Sequence, residues 1–144
     1  MSLSQKCQYA VRAVLALAQR QGQGPISAGE IAASYDMPQR FLEVILNELK
    51  PSGLVGSRRG VGGGYQLTVA PSGVTVGQII RLIDGPLGPV SASGDPGDTS
   101  SGGLAELWAG AKRAIEGVYE GTTFQDLADR QRMIDAGDTP DYCI

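Results

Sequence analysis

The chain has 144 residues, of which 42% are hydrophobic and 19% charged, values that fit one compact core with a small extension. No stretch approaches the roughly 18 apolar residues of a membrane helix, and Cys7 and Cys143 are too few for a disulfide framework, so a cytoplasmic protein is expected. The chain contains no histidine, and no nucleophile–base pairing is visible, so neither a metal site nor an enzymatic function is expected.

The net charge of −3 conceals a difference between two parts of the chain. Residues 1–84 carry eight lysines and arginines against five acids, a net charge of +3, whereas residues 85–144 carry four against ten, a net charge of −6. A basic front part can face a polyanion while an acidic rear part points away from it. The charge pattern therefore favours a nucleic-acid partner for the first part.

Three helices are predicted in the first 50 residues. Apolar residues at positions 10, 13, 14, 17 and 18 have helical spacing and predict a first helix that ends near Gly22. Ser27 stands three residues before Glu30, which predicts a capping box at the start of a second helix. A third helix is predicted from about residue 38 to 50, with Pro38 at its first position and Pro51 as its stop.

A β-hairpin and a fourth helix are predicted next. Residues 54–58 and 65–69 are strand-like and flank a glycine-rich turn. Thr75 and Gln78 predict a second capping box, for a helix that Gly85 closes. This order of elements is that of a winged helix-turn-helix, in which the third helix enters the major groove and the hairpin, or wing, flanks it. Residues 1–84 are therefore predicted to form a DNA-binding domain.

The rest of the chain is predicted to hold a loop and helices for self-association. Residues 85–103 contain nine glycines and prolines in nineteen positions, which predicts a flexible surface loop. Residues 104–144 begin with a long apolar stripe at helical spacing, and Thr123 with Asp126 predicts a shorter terminal helix. The stripe is expected to form the interface of a homodimer. Its residues are Leu104, Leu107, Trp108, Ala111, Ile115 and Val118.

The predicted fold class is thus mainly α with a small β-hairpin, a winged helix-turn-helix followed by a long C-terminal dimerisation helix. Candidate DNA contacts lie on the third helix, opposite its apolar face, and on the wing. Glutamine can pair with adenine and glutamate can accept from cytosine, so Gln39 and Glu43 are expected to read bases. Arginines on the wing are expected to contact phosphate or enter the minor groove, with glycines that permit close approach. The full set is Gln39, Arg40, Glu43, Arg58, Arg59, Gly60, Gly62 and Gly63.

The sequence resembles the Rrf2 family of transcriptional repressors over almost its whole length. The most specific motif is the wing, Arg59-Gly60-Val61-Gly62-Gly63-Gly64-Tyr65. Further matching motifs are Tyr9-Ala10-Val11, Phe41-Leu42-Glu43, Gly53-Leu54-Val55, Thr75-Val76-Gly77 and Gly85-Pro86-Leu87. The resemblance implies a dimer with crossed long helices, whose recognition helices and wings bind an inverted repeat in double-stranded DNA.

The loop before the long helix departs from the family pattern. Members that bind an iron–sulfur cluster carry three closely spaced cysteines there, commonly with a histidine, and residues 90–103 contain neither. Carboxylates and hydroxyls are poor substitutes for thiolates, so no cofactor is expected. The signal stays open between thiol oxidation at Cys7 or Cys143, a small molecule and a protein effector. Cys7 is also a candidate for an ordinary buried residue.

One other class of function is compatible with these features. A winged helix can serve as a protein-interaction module without specific DNA binding, and the acidic rear part would suit that role. The retained arginines of the third helix and the wing, Arg40, Arg58 and Arg59, argue against it. A DNA-binding regulator is therefore the preferred interpretation.

Overall fold

The computed structural model describes residues 3–87 and 102–137. Over these residues the chain forms six α-helices and one antiparallel hairpin, as the sequence predicted. The helices are α1 (Gln5–Gln19), α2 (Ala28–Tyr35), α3 (Gln39–Leu49), α4 (Val76–Asp84), α5 (Gly103–Gly121) and α6 (Phe124–Asp135). The strands are β1 (Val55–Arg58) and β2 (Gly64–Leu67). Most of the predicted loop, the C-terminal tail and Cys143 lie outside the described residues.

Side-chain caps begin α4 and α6 as the sequence predicted. Thr75 Oγ1 accepts from the backbone N–H of Gln78 at 3.2 Å, and the Gln78 side chain accepts in return from the Thr75 N–H at 2.8 Å. Thr123 and Asp126 make the same reciprocal pair, with both bonds at 3.0 Å. Each pair satisfies two N–H groups that have no partner within the helix.

The predicted capping box of α2 is only half formed. Ser27 Oγ accepts from the Glu30 N–H at 3.2 Å, but the Glu30 carboxylate lies against Arg20 Nη1 at 3.3 Å. The carboxylate thus pairs with Arg20, the C-cap residue of α1, and does not accept from the backbone N–H of Ser27. The start of the helix was predicted correctly, and the role of Glu30 was not.

The two prolines around α3 also differ from prediction. Pro38 is the N-cap, with an extended backbone (φ −62°, ψ 123°), so the helix begins one residue later. Beyond Leu49 the chain does not stop at Pro51 but continues in a 3-10 turn over Lys50–Ser52. This turn is closed by the Gly53 N–H on the Lys50 carbonyl at 3.0 Å, a bond that does not need the missing N–H of proline.

The hydrophobic core surrounds α1, which contacts the other three helices of the winged domain, the strand β2 and also α6. Residues of α1 with no exposed surface include Cys7, Ala10 and Val14. The buried face of α3 repeats every three or four residues. It consists of Leu42, Ile45, Leu46 and Leu49. The helix-turn-helix therefore has a closed core within one chain.

The corner between α5 and α6 is attached to the beginning of α4. The Val76 N–H donates to the Thr122 carbonyl at 2.9 Å, and the Phe124 N–H donates to the Val74 carbonyl at 3.0 Å. Phe124 is fully buried, and α6 packs on α1. By contrast, no residue of α5 is buried. In the described parts of the chain, no helix has the length and apolar character needed to cross a membrane.

Candidate nucleic-acid interface

The outer face of α3 carries the three side chains predicted to contact bases or phosphates. Gln39 and Arg40 are exposed and Glu43 is half-buried, so all three side chains reach the surface of the helix. Gln39 Nε2 donates a hydrogen bond to Glu43 Oε1 at 3.2 Å. The spacing of four residues therefore brings these two side chains together on one face, as expected for a helix.

Two further residues on the same face were missed from the sequence. Val44 is 52% exposed and Asn47 is exposed, and with Arg40 they follow helical spacing along the outer surface. No role was predicted for Val44, because it lies off the apolar repeat formed by Leu42, Ile45 and Leu46. A helical wheel would have placed it beside Arg40, since the two are four residues apart. An exposed apolar side chain here can contact a thymine methyl group.

The wing is anchored at its base and exposed at its end. In the β1–β2 ladder Val55 pairs with Leu67, and both are buried, whereas Arg58 pairs with Gly64 at the far end. The outer edge of β2 is held as well, because Tyr65 exchanges two backbone hydrogen bonds of 2.8 Å with Ile26, just before α2. The wing therefore has a defined direction relative to the helix-turn-helix.

A side-chain contact links the wing to the recognition helix. The Tyr65 hydroxyl donates to Asn47 Oδ1 at 3.4 Å, which joins β2 to the outer face of α3. The two candidate contact regions thus belong to one surface. This role of Asn47 and Tyr65 depends on the tertiary packing of elements 18 residues apart and has no sequence signal of its own.

The backbone geometry of the hairpin explains why four positions of the wing are glycine. Gly60 and Gly62 have positive φ angles of 95° and 78°, which only glycine adopts easily. A Cβ at Gly63 would overlap the carbonyl oxygen of Arg58, and one at Gly64 would overlap that of Ile26. A side chain at Gly63 or Gly64 would therefore disturb the hairpin itself, independently of any contact with DNA. DNA contact at Gly60, Gly62 and Gly63 stays a prediction.

The electrostatics of the wing are uniformly positive. Between Glu48 and Asp84 the sequence contains no acidic residue. Arg58 and Arg59 are both exposed, and within the described residues neither has an ion-pair partner. Arg81, on α4, differs because it pairs with Glu120 of α5. The wing arginines thus present two free guanidinium groups to solvent, which suits contacts to phosphate.

The surroundings of Cys7 do not favour a redox sensor. The residue has no exposed surface, and burial, assisted by the charge and hydrogen bond of Asp84, raises the pKa of its thiol to about 12. Thiol oxidation requires an accessible thiolate, so the structure argues against Cys7 as the sensor that the sequence left open. Cys143 lies outside the described residues.

The predicted dimer stripe is largely uncovered. Leu104, Leu107 and Val118 are 51%, 59% and 65% exposed, and Trp108 is 38% exposed. Ala111 and Ile115 are partly buried. The six residues lie on α5 at the spacing that the sequence predicted, but residues 3–87 and 102–137 do not supply a partner surface for most of them.

The described residues do not provide a site for iron. No group of three or more cysteine, aspartate, glutamate or histidine side chains is placed to hold a metal ion in residues 3–87 and 102–137. The whole sequence has no histidine and only two cysteines, and the described one is buried as a neutral thiol. This donor set does not fit a cluster held by several thiolates.

A helix-turn-helix with an exposed recognition face and a basic wing defines a DNA-binding protein of the winged-helix class. The Rrf2 family, described as "Iron-dependent Transcriptional regulator", matches residues 3–130. The chain belongs to this family and is a DNA-binding transcriptional regulator.

Individual relatives agree with this assignment. The HTH-type transcriptional regulator CymR of Bacillus subtilis is 36% identical over 128 residues, which cover 89% of this chain and 90% of that protein. The solved structure of CymR, the global cysteine regulator of B. subtilis, has a TM-score of 0.81 at 35% identity and covers 90% of this chain and 98% of its own. The structure of T. potens IscR has a TM-score of 0.78 at 31% identity, with 99% and 95% covered.

Proposed function

We propose that the protein is a non-catalytic repressor that binds an inverted-repeat operator as a homodimer in the cytoplasm. The observation that carries this proposal is the joined surface formed by the outer face of α3 and the wing. The wing lies in a segment that has no acidic residue between Glu48 and Asp84, and the Tyr65–Asn47 hydrogen bond connects the wing to α3. A surface of this kind supports simultaneous contact with a major groove and the adjacent phosphate backbone.

The two parts of the surface have different roles in the proposal. Glu43 and Gln39 read base edges, and their mutual hydrogen bond of 3.2 Å is exchanged for bonds to cytosine and adenine. Arg58 and Arg59 neutralise phosphates or enter the minor groove, interactions that position the protein and carry little direct sequence information. Sequence preference therefore comes from α3, and most of the affinity comes from the wing.

The stripe on α5 supports the dimer. Three of its apolar side chains are more than half exposed, and they are spaced along one helix face. A second copy of α5 offers a matching surface because a two-fold interface uses the same patch on both chains. Two recognition helices would then meet half-sites about 34 Å apart. A repressor of this form blocks its promoter by occupying the operator.

The signal that releases the operator is proposed to be a small molecule or a partner protein. The iron-dependent chemistry in the family description is not carried over, because the donor set of this chain does not fit a cluster. Thiol oxidation at Cys143 is the remaining redox route, since Cys7 is a buried, neutral thiol. Replacement of Cys143 by serine, followed by a peroxide titration of DNA binding, separates the redox route from the other two.

The proposal is tested by selecting bound sequences from a random DNA pool and measuring variants on the enriched site. Glu43→Ala is expected to relax the consensus at one position of each half-site while binding to random DNA changes little. Arg59→Ala is expected to weaken all sequences and to lower the salt slope by about one unit for each phosphate that the variant no longer neutralises. Arg132→Ala is the matched control, because this arginine is exposed on α6 and forms an ion pair with Asp129 of the same helix at 3.6 Å.

Three outcomes contradict parts of the proposal. If the wild-type protein enriches no sequence from the pool, the interaction-module alternative is favoured. If the enriched site has no two-fold symmetry, the dimeric operator is wrong. If Glu43→Ala loses affinity uniformly while Arg59→Ala keeps its salt dependence, the assignment of roles to α3 and the wing is reversed.

A further inference from the structure

The tip of the wing carries a single side chain, that of Val61. Residues 60–64 are otherwise all glycine. The turn is closed by the Gly63 N–H on the Gly60 carbonyl at 3.0 Å, and the positive φ of Gly62 is the angle that a type II turn requires at its third residue. Val61 is therefore the apex residue, and its side chain is fully exposed.

The fold gives no reason for a valine at this position. The tips of tight turns favour glycine, asparagine, aspartate and serine, and β-branched residues favour strands. The Val61 side chain contributes nothing to the core, whereas Val14, Val55 and Val74 of the same domain are buried. An apolar apex leaves hydrocarbon surface in water, and contact with a partner molecule removes that surface from water.

The neighbours of Val61 indicate what this partner is. Arg58 and Arg59 precede it on the same hairpin, both exposed, and the hairpin and its flanks contain no acid. A cationic ridge with one small apolar residue at its apex is complementary to a minor groove, where phosphates line the rims and deoxyribose rings form apolar walls. The groove of B-DNA is about 6 Å wide, and a side chain as small as valine can enter it.

We propose that Val61 enters the minor groove beside each half-site and packs against the sugar walls, where it contributes to both affinity and the choice of flanking sequence. This inference rests on the proposed DNA-binding function and adds a contact that is not electrostatic. A·T-rich tracts have narrow minor grooves, in which both walls reach an inserted side chain. The contribution of Val61 to affinity is therefore expected to be largest on operators with A·T-rich flanks.

The test compares two variants that differ in polarity but hardly in shape. Val61→Thr keeps the β-branched form and replaces one methyl by a hydroxyl, and Val61→Ile stays apolar. Binding is measured on the selected operator with A·T-rich and with G·C-rich flanks, at two salt concentrations. Val61→Thr is expected to lose about tenfold in affinity on A·T-rich flanks and less on G·C-rich flanks, with an unchanged salt slope. Val61→Ile is expected to stay within about twofold of the wild type.

The melting temperature serves as the control for folding. Because Val61 is fully exposed, both variants are expected to melt with the wild type. Equal binding of Val61→Thr and the wild type on both flanks overturns the inference, and so does a clear fall in melting temperature, which would assign Val61 to the hairpin fold. If the wild type itself binds no DNA, the proposed function fails and this inference falls with it, so the two failures are distinguishable.

Discussion

The helices α3 and α5 are both amphipathic, but the apolar face of α3 is buried whereas that of α5 is largely exposed. Four of the eleven residues of α3 are buried, and they fill the core between the recognition helix and α1. None of the nineteen residues of α5 is buried, although leucines and a tryptophan lie along one face. The same pattern of apolar residues thus marks a completed core in one helix and an unfilled surface in the other.

The cause of this difference is where each helix is attached. α3 is flanked by α1 and α2 along its length, whereas α5 contacts α4 and is tied near its C-terminal end. There Tyr119 packs against the core, and Glu120 accepts from Thr75 Oγ1 at 3.2 Å and pairs with Arg81. In the first half of α5, Leu104 and Leu107 are both more than half exposed. Within the described residues, the helix-turn-helix therefore has a complete core, whereas the apolar face of α5 stays largely exposed.

The largest effect is expected inside α3. Leu46→Ala removes a fully buried side chain and leaves a cavity, so it should lower the free energy of unfolding by about 2–5 kcal/mol. Val44→Ala, two residues earlier on the exposed face, should change it by no more than about 0.5 kcal/mol. Urea denaturation, monitored by circular dichroism, gives the free energy of unfolding of each variant. Similar values for the two variants would remove the contrast between the inner and outer faces of α3.

A smaller but qualitatively different effect is expected in α5. If the proposed dimer forms through α5, the double variant Leu107→Asp, Val118→Asp should be a monomer of half the wild-type mass. Its helical content should be almost unchanged, because neither side chain packs in the core. Ala109→Glu is the matched control, since this residue is exposed on α5 and lies off the stripe. Light scattering at micromolar concentration reports the mass. A wild-type monomer, or a double variant that stays dimeric, would mean that something else covers α5.

The smallest effect on the fold concerns Cys7. Its thiol is fully buried, so its reaction with a reagent reports whether the core around α1 stays closed. In a Cys143→Ser protein at pH 8, a pKa of about 12 leaves only about one Cys7 thiol in ten thousand ionised. A thiol reagent should therefore label the native protein far more slowly than the urea-unfolded protein. Rapid labelling of native protein would show that the core around α1 opens readily.

The same thiol should make stability depend on alkaline pH. The folded-state pKa of Cys7 is raised above its ordinary value of 9.0, so the neutral buried thiol contributes fully below about pH 9. That contribution is lost as the pH rises toward 12. A Cys7→Ala variant should lose less stability than the parent protein between these values, as measured by urea denaturation at each pH.

Most of the local structure could be predicted from the sequence alone, because its causes lie within a few residues. Thr75 with Gln78 and Thr123 with Asp126 begin helices through bonds between positions three apart. The apolar periodicity of α1 and α3, and the glycine run between two short strands, identify the winged helix-turn-helix. The helix face shared by Gln39 and Glu43 follows from the same periodicity.

What only the tertiary structure decided involves residues that are distant in sequence. Glu30 was predicted to complete a cap, whereas packing places its carboxylate against Arg20. Val44, for which no role was predicted, is exposed on α3, and a Cβ at Gly63 would overlap the Arg58 carbonyl oxygen. Burial beside Asp84 made Cys7 a neutral core residue, and the Tyr65–Asn47 bond joined the wing to α3. Local pattern determines which segments become helices or strands, but the burial and partners of a side chain depend on which segments meet, and this is a property of the folded chain as a whole.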